Sequence, residues 1–378
     1  MDRDAGGKKS SPLQGYGDRW AYPGHILSLP HEPTVRSLSE RILFVRKLTL
    51  ARAGRHIHPS VLGILVERFP GLKELDVKFH AIHRRRREAI VRHRVSLALA
   101  LCTPGLENLE TLRIELDEHT PLDHGYDEFG NKDGEYPAGE VLNRAVCGLA
   151  QHGLRELHLD GAWPISPALF GACEGGKAST FQHLKIMNVT FLLVTYDGRW
   201  LFRGNPEDVE EFDEEDVPPG LDPPVSYEED MDIELPSDYE DEFEFYGADD
   251  ENGDNPQHQW RERPDPGVFN PIVKSLVKAS LRMPRLEHLR VRTAQRGVEG
   301  NEMEIEFVAP GRLSEPIPKK LQDGVMVGKR RWVVSIRGGL DWEVQWEIPR
   351  DTRELMEEGV GPDGRVIVYG WNKRQFLS

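Results

Sequence analysis

The feature that most constrains this chain is a six-residue phrase, apolar-x-x-Leu-x-apolar, which recurs five times, each time behind a stretch with helical spacing. Leu72–Val77 follows Pro59–Phe69, and Leu109–Ile114 follows Arg87–Leu101. Leu154–Leu159 follows Ala138–His152, Phe181–Ile186 follows Pro167–Ala172, and Leu286–Val291 follows Pro271–Met283. Alternate side chains of an extended segment point to opposite sides. Leu75 and Val77 therefore share one side, as do Leu112, Ile114 and Leu116. One helix-plus-strand unit cannot bury its apolar side alone, so neighbouring units must stack. Strands joined through helices then run parallel.

The expected fold is α/β: a leucine-rich-repeat-like helix/strand solenoid with parallel strands, followed by a small β-rich C-terminal module. The key leucines Leu48, Leu75, Leu112, Leu157 and Leu184 are separated by 27, 37, 45 and 27 residues. Regular leucine-rich repeats keep a period of about 20–29 residues, so the longer gaps are read as surface loops such as Asp117–Pro137. Residues 1–35 are rich in Gly, Pro, Ser and charge and read as a disordered N-terminal arm. The repeat domain spans 36–203, starting with a strand at Phe44–Leu50, and its last unit spans 263–297. Between them lies an acidic insert, 204–262, with the composition of a disordered segment. Asp197-Gly198, flanked by Thr195-Tyr196 and Trp200-Leu201-Phe202, signals a hairpin before the insert. In the module at 298–378, Glu302–Val308, Arg331–Arg337, Trp342–Ile348 and Arg365–Tyr369 read as strands. Asp351–Glu358 reads as a helix capped by Asp351. Such a module would cover the open end of the stack.

The net charge of −16 is unevenly placed. Of the 64 Asp and Glu, 23 lie in Pro206–His258, which holds no Lys or Arg. The remaining 41 acids meet 48 Lys and Arg, so the rest of the chain carries +7. Arg84-Arg85-Arg86-Arg87, with Arg92 and Arg94, forms the one dense basic patch. It reads as a solvated helix start, a nuclear-import or nucleic-acid contact, or a surface for the acidic insert. No stripe of aromatic and basic residues supports base stacking, so nucleic acid is not the expected partner. Ser226 and Ser237 each have Glu three residues on and are candidate phosphosites. The insert reads either as a regulator that shields the repeat surface or as a solubility device.

Several motifs point to chemistry that the chain does not complete. Gly171–Ala178 approaches a phosphate loop, but it precedes a strand and ends in Ala178 where Ser or Thr would hold magnesium, so a helix-ending glycine is expected. Ala248–Gln259 approaches a calcium loop with the wrong first and last residues. His56, His58, His80, His83 and His93 read as surface or strand-edge residues, with no metal or cofactor expected. Asn188-Val189-Thr190 is a glycosylation triplet without a secretory leader to use it. Cys102, Cys147 and Cys173 are odd in number and far apart, which fits free thiols in a reducing compartment, cytoplasm or nucleus. No run of about 18 apolar residues would cross a membrane. No nucleophile elbow or His-Glu-x-x-His occurs, so a non-enzyme is expected.

Three phrases carry a family resemblance: Phe69-Pro70-Gly71-Leu72-Lys73-Glu74-Leu75, Leu154–Gly161, and Met283–Val291. With the Trp-containing terminal strands, they make residues 36–370 resemble the fungal F-box and leucine-rich-repeat-like proteins. The resemblance implies repeats that recruit substrates and an N-terminal F-box that docks on a cullin-type ubiquitin ligase through a linker subunit. Leu29-Pro30-His31-Glu32 matches the opening of an F-box. Pro33 follows where an apolar residue is expected, and the first strand comes too soon for three helices. Either the chain is truncated, or it is a relative without ligase docking. The expected function is a protein–protein interaction scaffold, with Arg84, Arg85, Arg86, Arg87, Trp163, Tyr196 and Trp200 as candidate contacts. The aromatic residues among them suit an interface anchor and a core position equally. The alternative is an acidic-tract binder of basic proteins such as histones.

Overall fold

The computed structural model describes residues 41–50, 58–80, 87–117, 125, 138–171, 180–204, 261, 263–293, 302–317, 322, 324–337 and 346–371. Six strands follow one another in chain order across a single sheet: β1 (Lys47–Leu50), β2 (Glu74–His80), β3 (Thr111–Asp117), β4 (Glu156–Trp163), β5 (Ile186–Phe191) and β8 (His288–Thr293). All five pairings among them are parallel. Beyond β8 come β9 (Glu302–Val308), β10 (Arg331–Arg337) and β11 (Arg365–Trp371). The β8–β9 and β9–β10 pairings are antiparallel, and β10–β11 is parallel again. The protein is α/β, with a mostly parallel nine-stranded sheet. A separate two-stranded pair joins β6 (Phe202–Arg203) to β7 (Arg263–Pro264).

The helices form one row beside the sheet, in the order of the strands. They are α1 (Pro59–Arg68), α2 (Arg87–Leu101), α3 (Ala138–Ala150), a 3-10 turn at Pro167–Phe170, α4 (Pro266–Ser280) and α6 (Arg350–Val360), each packed on the next. A one-turn α5 spans Gly324–Val327. Local chemistry sets several starts. His58 caps α1 by accepting from the Ser60 amide, with Pro59 in the first turn. Asp265 caps α4 by accepting from the Gly267 amide, followed by Pro266. Apolar spacing aims Leu142, Val146 and Leu149 of α3 into the core.

One face of the sheet meets this row. Leu75, Leu112, Leu157, Met187 and Leu289 stand side by side in register. So do Val77, Ile114, Leu159, Val189 and Val291, and all ten are buried. Met303, Ile305, Phe307, Trp332 and Val334 continue the layer past β8. At about 25 cal/mol per Å² of apolar surface removed from water, this layer is the main force holding the units together.

The structure revises several expectations. Leu184 does not stand beside Leu157; Met187 does, so the fourth phrase begins at Leu184, three residues later than read. The apolar pattern fits both frames, and only strand pairing chooses between them. Within the stretch read as Pro167–Ala172, Pro167–Phe170 forms a 3-10 turn closed by Gly171 at φ 72°, the helix-ending glycine expected there. Helix α4 starts five residues before Pro271, which sits inside it. Strands β9 and β10 match the expected bounds, and β11 runs two residues longer than Arg365–Tyr369. These strands add to the edge of the repeat sheet instead of forming a module apart from it. Of Trp342–Ile348, only 346–348 is described, and it is not strand. Asp351 does not cap α6: Pro349 holds that position, and the Asp351 carboxylate accepts from Lys274 Nζ of α4.

Candidate partner-binding face

The other face of the sheet carries the variable positions of the phrase. Each strand enters through the same joint, in which one carbonyl accepts two successive amides of the next unit. Arg46 O accepts from Lys73 N and Glu74 N, at 2.7 and 3.0 Å. Lys73 O does the same for Glu110 and Thr111, Glu110 O for Arg155 and Glu156, Arg155 O for Lys185 and Ile186, and Lys185 O for Glu287 and His288. This repeated joint brings side chains far apart in sequence into straight rows.

The first row is Arg46, Lys73, Glu110, Arg155, Lys185 and Glu287. Glu110 pairs with Lys73 at 3.0 Å and Arg155 at 3.4 Å, and Glu287 pairs with Lys185 at 3.1 Å and with Arg312 at 2.5 Å. The hydrogen bond from Lys73 holds the Glu110 carboxyl below the usual range, and those from Lys185 and Arg312 do so for Glu287. In the next row Lys47 pairs with Glu74 at 2.9 Å. Further along the strands, Lys78 donates to Glu115 at 2.7 Å and Thr190 Oγ donates to Asp160 at 3.3 Å. Many of these side chains stay accessible, with Lys47 62% and Arg113 53% exposed.

The row Arg113, His158, Asn188, Arg290 crosses the middle of this face. Asn188 Nδ2 lies 3.2 Å from His158 Nδ1, and His158 Nε2 lies 3.5 Å from Glu156 Oε2, while Asn188 Oδ1 has no hydrogen-bond partner among the described residues. Burial first, then the Arg113 charge, hold His158 below the ordinary imidazole range, so it is neutral near pH 7. Over β8–β10 the face is closed by the chain after β9. Buried Glu306 accepts from His288 Nε2 at 2.9 Å, from the Glu315 amide at 3.2 Å and from Ser314 Oγ. Arg331 caps four oxygens, those of Arg312, Met326, Lys329 and Gln322. Burial lifts the Glu304 carboxyl above its usual range despite the Arg290 guanidinium 2.6 Å away.

The sequence-based candidates fall elsewhere. Trp163 is fully buried, its indole N–H donating to Asn143 Oδ1 at 3.0 Å, and Asn143 Nδ2 in turn donates to the carbonyls of Gly139 and Pro164. Trp200 is also buried, under the Arg261 guanidinium at 4.9 Å. Both tryptophans are core residues and not exposed anchors. Tyr196 is half-buried, and burial raises its phenol above the usual range. The hairpin signal is realised: Thr195 N donates to Arg199 O at 2.8 Å, and Gly198 takes φ 79°. Arg84, Arg85 and Arg86 lie outside the described residues, as do Ser226, Ser237, Cys173 and the calcium-like and remaining phosphate-like segments; Arg87 opens α2. Arg94 is 2% exposed and does not belong to a surface patch. His93 is buried too, beside Phe79 and His58, with burial pushing its pKa down to about 3. Cys147 is a buried free thiol, and Cys102 is an exposed one.

Among the described residues, no group of three His, Cys, Asp or Glu could hold a metal. No helix among them is long and apolar enough to cross a membrane. A cavity of about 550 Å³ at the α6–β11 turn is lined by Glu357, Glu358, Val360, Pro362 and Arg365, a set without serine, histidine or cysteine. The rows themselves were missed by sequence reading, although the signal was present: they are the polar x positions of each phrase. Comparison with family models, with curated proteins and with solved structures gives no match to this chain.

Proposed function

We propose that this protein is a non-catalytic protein–protein interaction scaffold, built as a leucine-rich-repeat-like stack, that holds a protein partner on the polar face of β1–β5. The observation that carries this is the open charged face: rows of Lys, Arg, Glu and Asp, aligned by one repeated joint and left accessible while the opposite face is packed from β2 onward. A rigid row of charges of both signs supplies orientation and selectivity to a partner with complementary spacing. The family resemblance supports a substrate-recruiting role without a complete F-box.

The test is co-purification from host extract with the full chain and with the variant Lys78→Glu/Arg113→Glu, followed by mass spectrometry for the partner and for cullin-linker subunits. A partner retained by the full chain and by Arg144→Glu on α3, but lost from the face variant with Tm unchanged, is the expected result. Equal retention by all three would sink the proposal. Recovery of linker subunits with the partner would place the scaffold inside a ligase.

The alternative, an acidic-tract binder of basic proteins, draws on one structural observation. The two chain ends that flank 205–260 are tied together: β6 pairs with β7, and Arg261 Nη donates to Phe202 O at 3.1 Å. The 23 acids therefore depart from and return to one fixed root. A partner lost on deletion of 205–260 but kept by the face variant would favour this alternative.

A further inference from the structure

Strands β3 and β8 present the same charged pair. In Leu109-Glu110-Thr111-Leu112-Arg113 and in Leu286-Glu287-His288-Leu289-Arg290 the second position is Glu and the fifth is Arg. The other parallel units place Arg46 and Thr49, Lys73 and Asp76, Arg155 and His158, or Lys185 and Asn188 there. Joint and register make the places equivalent: Glu110 and Glu287 belong to one row, Arg113 and Arg290 to another. Each glutamate also pairs with a lysine of the preceding unit, Glu110 with Lys73 at 3.0 Å and Glu287 with Lys185 at 3.1 Å.

At β8 the chain itself occupies this pair. The segment after β9 crosses the polar face there and is held by both charges: Arg312 pairs with Glu287 at 2.5 Å, and Glu315 pairs with the Arg290 guanidinium. The Arg290 side chain is only 17% exposed. At β3 the same pair is half used. Arg155 lies 3.4 Å from Glu110 and supplies the second cation, the role that Arg312 has on Glu287. Arg113 has no counterpart of Glu315 among the described residues. Its ion pair is with Glu156 at 3.7 Å, too long for a hydrogen bond, and its side chain is 53% exposed. In register, neutral His158 stands beside Arg113 where Glu306 stands beside Arg290, so one acid fewer faces the guanidinium. The joint row across β1–β5 is basic too: Arg46, Lys73, Arg155 and Lys185 stand against Glu110 alone.

We propose that Arg113, flanked by Lys73 and Arg155, seats an extended acidic segment of the protein partner, one carboxylate taking the guanidinium as Glu315 takes Arg290. Neighbouring strands lie about 4.8 Å apart, and alternate residues of an extended segment about 6.7 Å apart. Acids on alternate residues therefore come within reach of successive cations of this face. The inference rests on the scaffold reading above and names the chemistry of what the face holds.

Fluorescence anisotropy of a labelled, alternating Glu-Ser octapeptide, titrated with the full chain at low ionic strength, tests it. A Lys-Ser octapeptide is the counter-probe. The wild type is expected to prefer the Glu-Ser peptide. Arg113→Gln weakens that binding at least ~5-fold, and Arg113→Glu turns the preference toward the Lys-Ser peptide. Arg144→Gln on α3 changes it less than ~2-fold, and no variant moves Tm. Equal weakening by Arg113→Gln and Arg144→Gln overturns the proposal, because it would reduce the effect to diffuse attraction. So does a wild type that ignores the Glu-Ser peptide or prefers the Lys-Ser one. The two readings fail separately. A partner lost from Lys78→Glu/Arg113→Glu, with peptide binding indifferent to Arg113, keeps the scaffold and removes the acidic segment. Peptide binding that depends on Arg113, with co-purification unaffected by that face variant, keeps the acid-binding site and removes the scaffold.

Discussion

The two faces of the sheet obey different rules, although they come from alternate residues of the same strands. On the helix-covered face, the rows from Leu75 to Leu289 and from Val77 to Val291 are apolar and buried. On the other face, neighbouring residues differ in type from strand to strand, and what recurs is pairing: Lys73 with Glu110, Lys78 with Glu115, Lys185 with Glu287. Close packing makes the first face intolerant of shape change. Solvent access makes the second nearly neutral for stability and free to be specific. Stability and recognition are thereby assigned to opposite sides of one layer.

The largest test of this division is at the bulge in β4, where the packed face meets backbone. Gly161 has φ +82°, and a Cβ there would lie 1.8 Å from Leu116 O. Gly161→Ala is expected to cost more than about 4 kcal/mol in urea unfolding, through strain and a backbone clash that no side-chain rotation relieves. A loss below about 1 kcal/mol would mean that the β3–β4 junction is far softer than described here.

Acid sensitivity should come from the packed side as well. The folded-state pKa of His93, about 3, lies below the ordinary imidazole value of 6.5 because of burial, with His58 and Arg94 adding to the shift. Between those values the unfolded chain binds a proton that the folded one does not. Stability is therefore full above pH 6.5 and falls as the pH drops toward 3, by as much as about 4 kcal/mol. His93→Phe should flatten that part of the curve in denaturation measured from pH 7 to pH 4. An unchanged slope would place the acid-sensitive group elsewhere.

A smaller effect is expected at the buried amide that ties α3 to β4. Asn143→Ala leaves the buried Trp163 indole N–H without its partner and removes one donor from each of the Gly139 and Pro164 carbonyls, at a cost of about 2 kcal/mol. Thermal unfolding would read this as a Tm several degrees lower. Trp163→Phe added to Asn143→Ala should cost less than the sum of the two alone, because the partners are lost together.

The smallest change belongs to the open face. Lys78→Ala removes the 2.7 Å pair with Glu115 and should cost less than about 1 kcal/mol. The comparison between faces breaks if calorimetry finds this substitution as damaging as Asn143→Ala.

Much of the packed face was legible because its signal is periodic. The phrases at Leu72, Leu109, Leu154 and Leu286 each become a strand in the expected frame, and Arg87–Leu101 is a helix with the expected bounds. The slip at Phe181 shows the limit: Leu184 and Met187 satisfy the same pattern, and a strand's frame is chosen by its neighbours. Trp163 and Trp200 could not be placed from sequence because an aromatic ring suits an interface and a core equally. His93 and Arg94 were misplaced for a related reason. Polar residues on a helix are usually solvated, and only the approach of Phe79 and His58 encloses His93.

By itself, the sequence determined the unit, the alternation of helix and strand, the polar identity of the x positions and the concentration of acid in one insert. These follow from local periodicity and composition, which need no partner in space. Tertiary structure alone decided that β9–β11 join the same sheet, that the two ends of the insert meet at β6–β7, and that x positions 27 to 102 residues apart in sequence line up as ion-paired rows. Those outcomes depend on register between strands, and register is set by burying all the apolar rows at once.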